Sequence, residues 1–188
     1  MAIISFIELV NILIATLVVG YIFTGIYPIK TKEDDVVKLY SKKFNWAEFL
    51  FSCLIAAPGI ILHEMGHKFV AMAFGLHAFF QLSYVGLLLG VLLKLFGSGF
   101  LFLAPGYVVI SNASVFQSAL TSFAGPFVNL LLWLTGFLVL RSSFRMSRKQ
   151  AIFWNITKEV NKWLFIFNMI PIPPLDGSKV LSGLLGLS

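Results

Sequence analysis

The chain reads as an all-α integral membrane protein of about four to five membrane helices with a short re-entrant β-hairpin, and three observations lead there. Its 188 residues are 59% hydrophobic and only 12% charged, with a mean hydropathy of +0.92; a soluble domain carries about twice that share of charge. The apolar residues come in runs, several of them of membrane-span length, bounded by proline, glycine or charged segments. A few charged and imidazole groups sit inside those runs, where hydrocarbon tolerates them only with a function or a partner. One compact membrane domain, residues 1–188, accounts for the whole length.

The elements follow in order. Residues 3–27 form the first apolar run, interrupted by Glu8 and long enough for the about 20 helical residues that cross a bilayer. No basic segment precedes it and no small-residue cleavage site follows, so a retained span is expected rather than a removed signal peptide. Pro28 closes it, and residues 30–43 form a mixed-charge loop. A second run extends from Phe44 to about Phe74, with Gly75 as its stop, and carries Glu48, His63, Glu64, His67 and Lys68. Residues 82–96 are apolar apart from Lys94, but rise only about 22 Å as a helix against about 30 Å of hydrocarbon, which predicts a short, tilted or half-inserted segment.

From Gly99 to Ile110, aromatic and β-branched residues flank Pro105-Gly106, a pair suited to the centre of a type II turn. This predicts the hairpin, or a re-entrant loop. Open strand edges cannot face lipid, so it should line a cavity walled by protein. Residues 115–140 are a further span containing Gly125-Pro126 and Asn129. A basic loop over 141–162 follows, with Glu159 its single acid. The last apolar stretch, from about 163, is broken by Pro171, Pro173 and Pro174, so the backbone must unwind beside Asp176-Gly177.

The net charge of +6 comes from 14 basic against 8 acidic residues. The basic residues concentrate in two segments between apolar runs, which points to lipid headgroups of the bilayer and not to nucleic acid. The positive-inside rule would place both in the cytoplasm. The single cysteine, Cys53, excludes an intrachain disulfide and reads as an inert thiol in an apolar run.

The chemistry lies at His63-Glu64-Met65-Gly66-His67. Histidines at i and i+4 share one helix face and can bind the same Zn2+, while Glu64, about 100° round the helix, can reach a metal-bound water without binding the metal. A catalytic zinc needs a third protein ligand. Beyond Glu64 the chain offers Glu159, Asp176 and His77. Glu159 reads as a solvated salt bridge within the basic segment, and His77 as an interfacial or structural histidine. Asp176, at a helix break inside an apolar run, is the candidate ligand; capping the helix that restarts after it is the other reading.

His63 through His67, Gly125-Pro126-Phe127-Val128-Asn129 and Asn168 through Gly177, in this order, resemble the three motifs of the site-2 protease family of intramembrane zinc proteases. The resemblance covers about residues 47–186. It implies His63, His67 and Asp176 as zinc ligands and Glu64 as general base. It implies Asn168 as an asparagine near the active site that holds substrate backbone or an oxyanion, and Asn129 as a helix-core support. The 99–111 hairpin resembles the family's re-entrant β element beside the active site, which receives an extended substrate. Residues 1–28 are then an N-terminal span and 44–188 the catalytic core. The expected activity is endopeptidase cleavage of membrane-anchored protein substrates in or near their spans, by a multi-pass protein of the cell membrane. The apolar 82–96 segment departs from the family as an insertion, and no PDZ-type or CBS-type regulatory domain is recognisable. The competing readings are a metal-binding membrane protein without protease activity, and an inactive protease-like scaffold that binds transmembrane helices or metal. The oligomeric state is not legible.

Overall fold

A computed structural model of the chain describes residues 3–25, 44–97 and 105–186. Its elements are α1 (Phe6–Phe23), α2 (Trp46–Ala73), β1 (Ala78–Leu82), α3 (Tyr84–Leu95), β2 (Gly106–Ile110), α4 (Val115–Arg141), α5 (Arg148–Asn168) and α6 (Asp176–Leu184). Of the four to five membrane helices expected, three among the described residues, α1, α2 and α4, are long and apolar enough to cross a membrane. Helix α3 is apolar but spans only 12 residues, a rise of about 18 Å.

Local chemistry sets the helix ends. Ser5 and Glu8 form a reciprocal capping box that starts α1, and Ser114 with Gln117 does the same for α4. Gly75, at φ +75°, stops α2. There the Leu76 amide donates to Ala71 O and the Gly75 amide to Met72 O, at 3.0 and 2.9 Å, closing a Schellman turn. The expected basic loop over 141–162 is corrected: only residues 142–147 are irregular, and the Ser147–Gln150 capping box starts α5 at Arg148. Charged positions hid a helix whose buried face is Ile156, Thr157 and Asn161.

The long helices alternate in direction. Glu8 meets Lys68 and Gly20 packs on Cys53, so α1 and α2 are antiparallel. His63 meets Asn129 and His67 meets Thr121, so α2 and α4 are antiparallel as well. Strands β1 and β2 pair antiparallel, Phe80 opposite Val108. The connection between them therefore leaves and returns to the same end of the bundle. It follows that the C-terminal end of α1, the N-terminal end of α2 and the C-terminal end of α4 lie on one side.

The two-stranded element is present, with a correction to its arms. Its second strand falls within the expected 99–111 segment, but its partner is 78–82, and Pro105-Gly106 leads into β2 instead of turning between strands. Residues 98–104 lie outside the described residues. The Ser83 amide donates to Pro105 O and the Ser111 amide to His77 O. By alternation, Phe79 and Gln81 face β2, while Phe80 points its backbone groups away from it. The same alternation leaves the backbone groups of Gly106, Val108 and Ile110 on the outer edge of β2. On β1, α1 covers the outer edge: Glu8 Oε1 accepts the Phe80 amide at 2.8 Å and Asn11 Nδ2 donates to Phe80 O at 3.4 Å.

Candidate metal centre

Helices α2, α4 and α6 build one polar centre. One turn apart on α2, His63 and His67 present their Nε2 atoms 3.1 Å from each other. Asp176 Oδ2 lies 3.1 Å from His63 Nε2 and 3.3 Å from His67 Nε2. Asp176 is the first residue of α6, and Leu175 at the cap position makes no side-chain capping bond. The carboxylate faces the two imidazoles. Gly177 permits this return: a Cβ there would stand 2.4 Å from Met169 O, at the end of α5.

The hydrogen bonds fix the tautomers. His67 Nδ1 lies 2.7 Å from Thr121 O, a carbonyl that can only accept, so Nδ1 carries the proton. Asn129 Nδ2 donates to Gly59 O at 3.0 Å and to Asn161 Oδ1 at 2.9 Å, which leaves its Oδ1 to accept from His63 Nδ1 at 2.6 Å. In their neutral forms both imidazoles thus aim Nε2 lone pairs at the point the Asp176 carboxylate also faces. Three such electron-rich atoms about 3 Å apart repel unless a proton or a metal cation sits among them. Zinc–ligand bonds of about 2.0–2.1 Å at tetrahedral angles would separate such atoms by about 3.3–3.4 Å. His63, His67 and Asp176 are also the one group of three metal-capable side chains found among the described residues. The donor set fits a tetrahedral divalent metal with an open fourth position.

Gly125 on α4 makes the space. A Cβ at this position would lie 2.4 Å from His67 Nε2 and 2.7 Å from His63 Nε2. Pro126 follows it inside the helix. Behind the centre, Asn161 donates to Thr157 O at 2.8 Å and completes a buried chain from His63 through Asn129, with both asparagines fully buried. Asn161 and Gly125 were not among the expected site residues. Asn161 lay hidden in the basic segment, although an amide four residues after Thr157 on an otherwise apolar face is a signal.

Glu64 sits beside the cluster, within electrostatic reach of His63, His67 and Asp176, and the Val108 backbone amide of β2 faces its carboxylate. Asn168 Nδ2 donates to Leu164 O of its own helix at 2.9 Å. Glu159 pairs with Lys158 at 3.0 Å and with Lys162, and those hydrogen bonds hold its carboxyl below the usual carboxylate range, in line with the salt-bridge reading. His77 stands at the entry to β1, outside the cluster. Cys53 packs half-buried against Gly20.

These features define a membrane-type helical protein with a His-His-Asp cluster that could hold a metal ion and an adjacent glutamate. Three curated proteins that bear the name Putative zinc metalloprotease are similar to it. MJ0611 of Methanocaldococcus jannaschii is 32% identical over 93% of this chain and 83% of its own length. YwhC of Bacillus subtilis is 32% identical over 66% of this chain and 64% of its own. The protein sll0528 of Synechocystis is 27% identical over 74% of this chain and 32% of its own. No family model and no solved structure matches the chain. The chain belongs to this family of zinc metalloproteases.

Proposed function

We propose that the protein is an intramembrane zinc endopeptidase of the site-2 protease type, which cleaves membrane-anchored proteins in or near their spans. His63, His67 and Asp176 hold Zn2+ as its three protein ligands. The observation that carries the reading is the convergence of two tautomer-fixed Nε2 atoms and Asp176 Oδ2 within 3.1–3.3 Å of one another, with Glu64 alongside. When bound, Zn2+ supplies Lewis acidity, lowering the pKa of a water in its open position and polarising the scissile carbonyl.

The chain's own groups do the rest. Glu64 accepts a proton from the attacking water and passes it to the leaving amine nitrogen. Asn129 and Thr121 O hold the two imidazoles in the tautomer that keeps Nε2 free. A helical substrate hides its carbonyls in hydrogen bonds, so the cleaved segment must be extended. On the outer edge of β2, Gly106 and Ile110 flank Val108, which lies against Glu64, and their backbone groups can accept such a segment by strand addition. Asn168 is proposed as an aid to substrate backbone or the oxyanion, on the resemblance alone.

The test begins with zinc content in detergent. Wild type should hold one zinc per chain and Asp176→Ala should lose it. Glu64→Gln should keep its zinc and cleave nothing. A wild-type chain that takes up no zinc when resupplied would defeat the protease reading, and full retention in Asp176→Ala would defeat this ligand set.

A further inference from the structure

Glu8 and Lys68 are the buried charges the metal centre does not use. Lys68, 2% exposed, directly follows His67 on α2; Glu8, 5% exposed, reaches it from α1. An ion pair in this setting is costly to desolvate and is weak evidence of stability by itself. Its geometry suggests more than neutralisation. The same Glu8 oxygen that meets Lys68 accepts the Phe80 amide at 2.8 Å, and the other oxygen accepts the Ser5 amide at 2.8 Å. Phe80 stands opposite Val108, whose amide faces Glu64. Lys68 on α2, Glu8 on α1 and Phe80 on β1 form a bonded chain, and β2, paired with β1, runs beside Glu64 on α2. The sheet is tied to the histidine helix through its β1 edge.

We propose that Glu8 is a positioning residue for proteolysis, with Lys68 neutralising its buried charge: its carboxylate holds β1, and through β1 sets the place of β2 beside Glu64, where a substrate strand is to be received. The N-terminal helix is then part of the catalytic unit. The proposal rests on the strand-addition reading above.

Two double variants separate positioning from charge balance. Glu8→Gln/Lys68→Met and Glu8→Met/Lys68→Met both remove the buried charges, but only the first keeps an acceptor for the Phe80 amide. Each is compared with wild type for zinc content, amide exchange over 78–82 and 106–110, and cleavage kinetics. The Gln/Met form should keep strand protection and kcat/KM near wild type. The Met/Met form should keep its zinc, exchange the strand amides about tenfold faster or more, and lose kcat/KM mainly through KM. Equal exchange and kinetics in the two forms would overturn the proposal. So would loss of folding or protection in the Gln/Met form, since the charge would then be what matters. If zinc-loaded wild type cleaves no substrate, the protease reading fails, while the exchange comparison still decides whether Glu8 holds the sheet.

Discussion

Replacing Gly125 with alanine perturbs the proposed metal centre without replacing His63, His67 or Asp176. The new Cβ would stand 2.4 Å from His67 Nε2 and 2.7 Å from His63 Nε2, where ordinary contact begins at 3.4 Å. The rings must retreat by about 1.0 Å and about 0.7 Å, whereas a metal site tolerates ligand displacements of about 0.2 Å. Neither ring can retreat freely. His63 is bonded to Asn129 at 2.6 Å and His67 to Thr121 O at 2.7 Å, and both partners lie on the helix that carries Gly125. Without metal the rings can rotate away, and overpacking costs about 1–3 kcal/mol of stability. With metal the ligand geometry itself is lost, so zinc affinity should fall by at least about 100-fold, or about 2.7 kcal/mol. Competition against a chromophoric chelator measures it, and circular dichroism checks that the helices persist. A folded Gly125→Ala protein that binds zinc as tightly as wild type would refute the reasoning.

Two more outcomes follow from the same geometry. Asn161→Leu removes the partner that orients the Asn129 amide, and zinc affinity should drop about 10- to 100-fold in the same competition assay; an unchanged affinity would mean Gly59 O alone sets that amide. In a Cys53→Ala background, cysteines at Phe44 and Arg145 should react with a membrane-impermeant maleimide from one side of the bilayer, and a cysteine at Ser111 from the other. Labelling of 44 and 145 from opposite sides would break the helix order deduced from the α1–α2 and α2–α4 contacts.

The parts of the site readable from the sequence were those written in short-range spacing. His63 and His67 share a helix face because they lie four apart, and Asp176 stood out because three prolines precede a carboxylate in an apolar stretch. Glu8 and Lys68 could be marked as charges in need of partners, but only the packing of α1 on α2 says that they need each other. Strand β1 escaped notice because its partner lies beyond a whole helix, and period-two patterns of five residues carry little signal. Pro105-Gly106 invited a turn between strands, yet pairing with 78–82 left Gly106 inside β2. The start of α5 was hidden because basic residues interrupt its apolar face, while the Ser147–Gln150 capping box that marks it is a three-residue pattern easily passed over.

The distribution of the donor set along the chain has a consequence for biogenesis. His63 and Asp176 are 113 residues apart in sequence. A nascent chain that has reached the end of α5 already carries both imidazoles, Glu64 and the strand edge, but lacks the carboxylate. The centre closes only when α6 has been made and folded back against α2 and α4. On the proposed ligand set, a half-made protein therefore cannot hold its metal in working order until synthesis has passed Asp176.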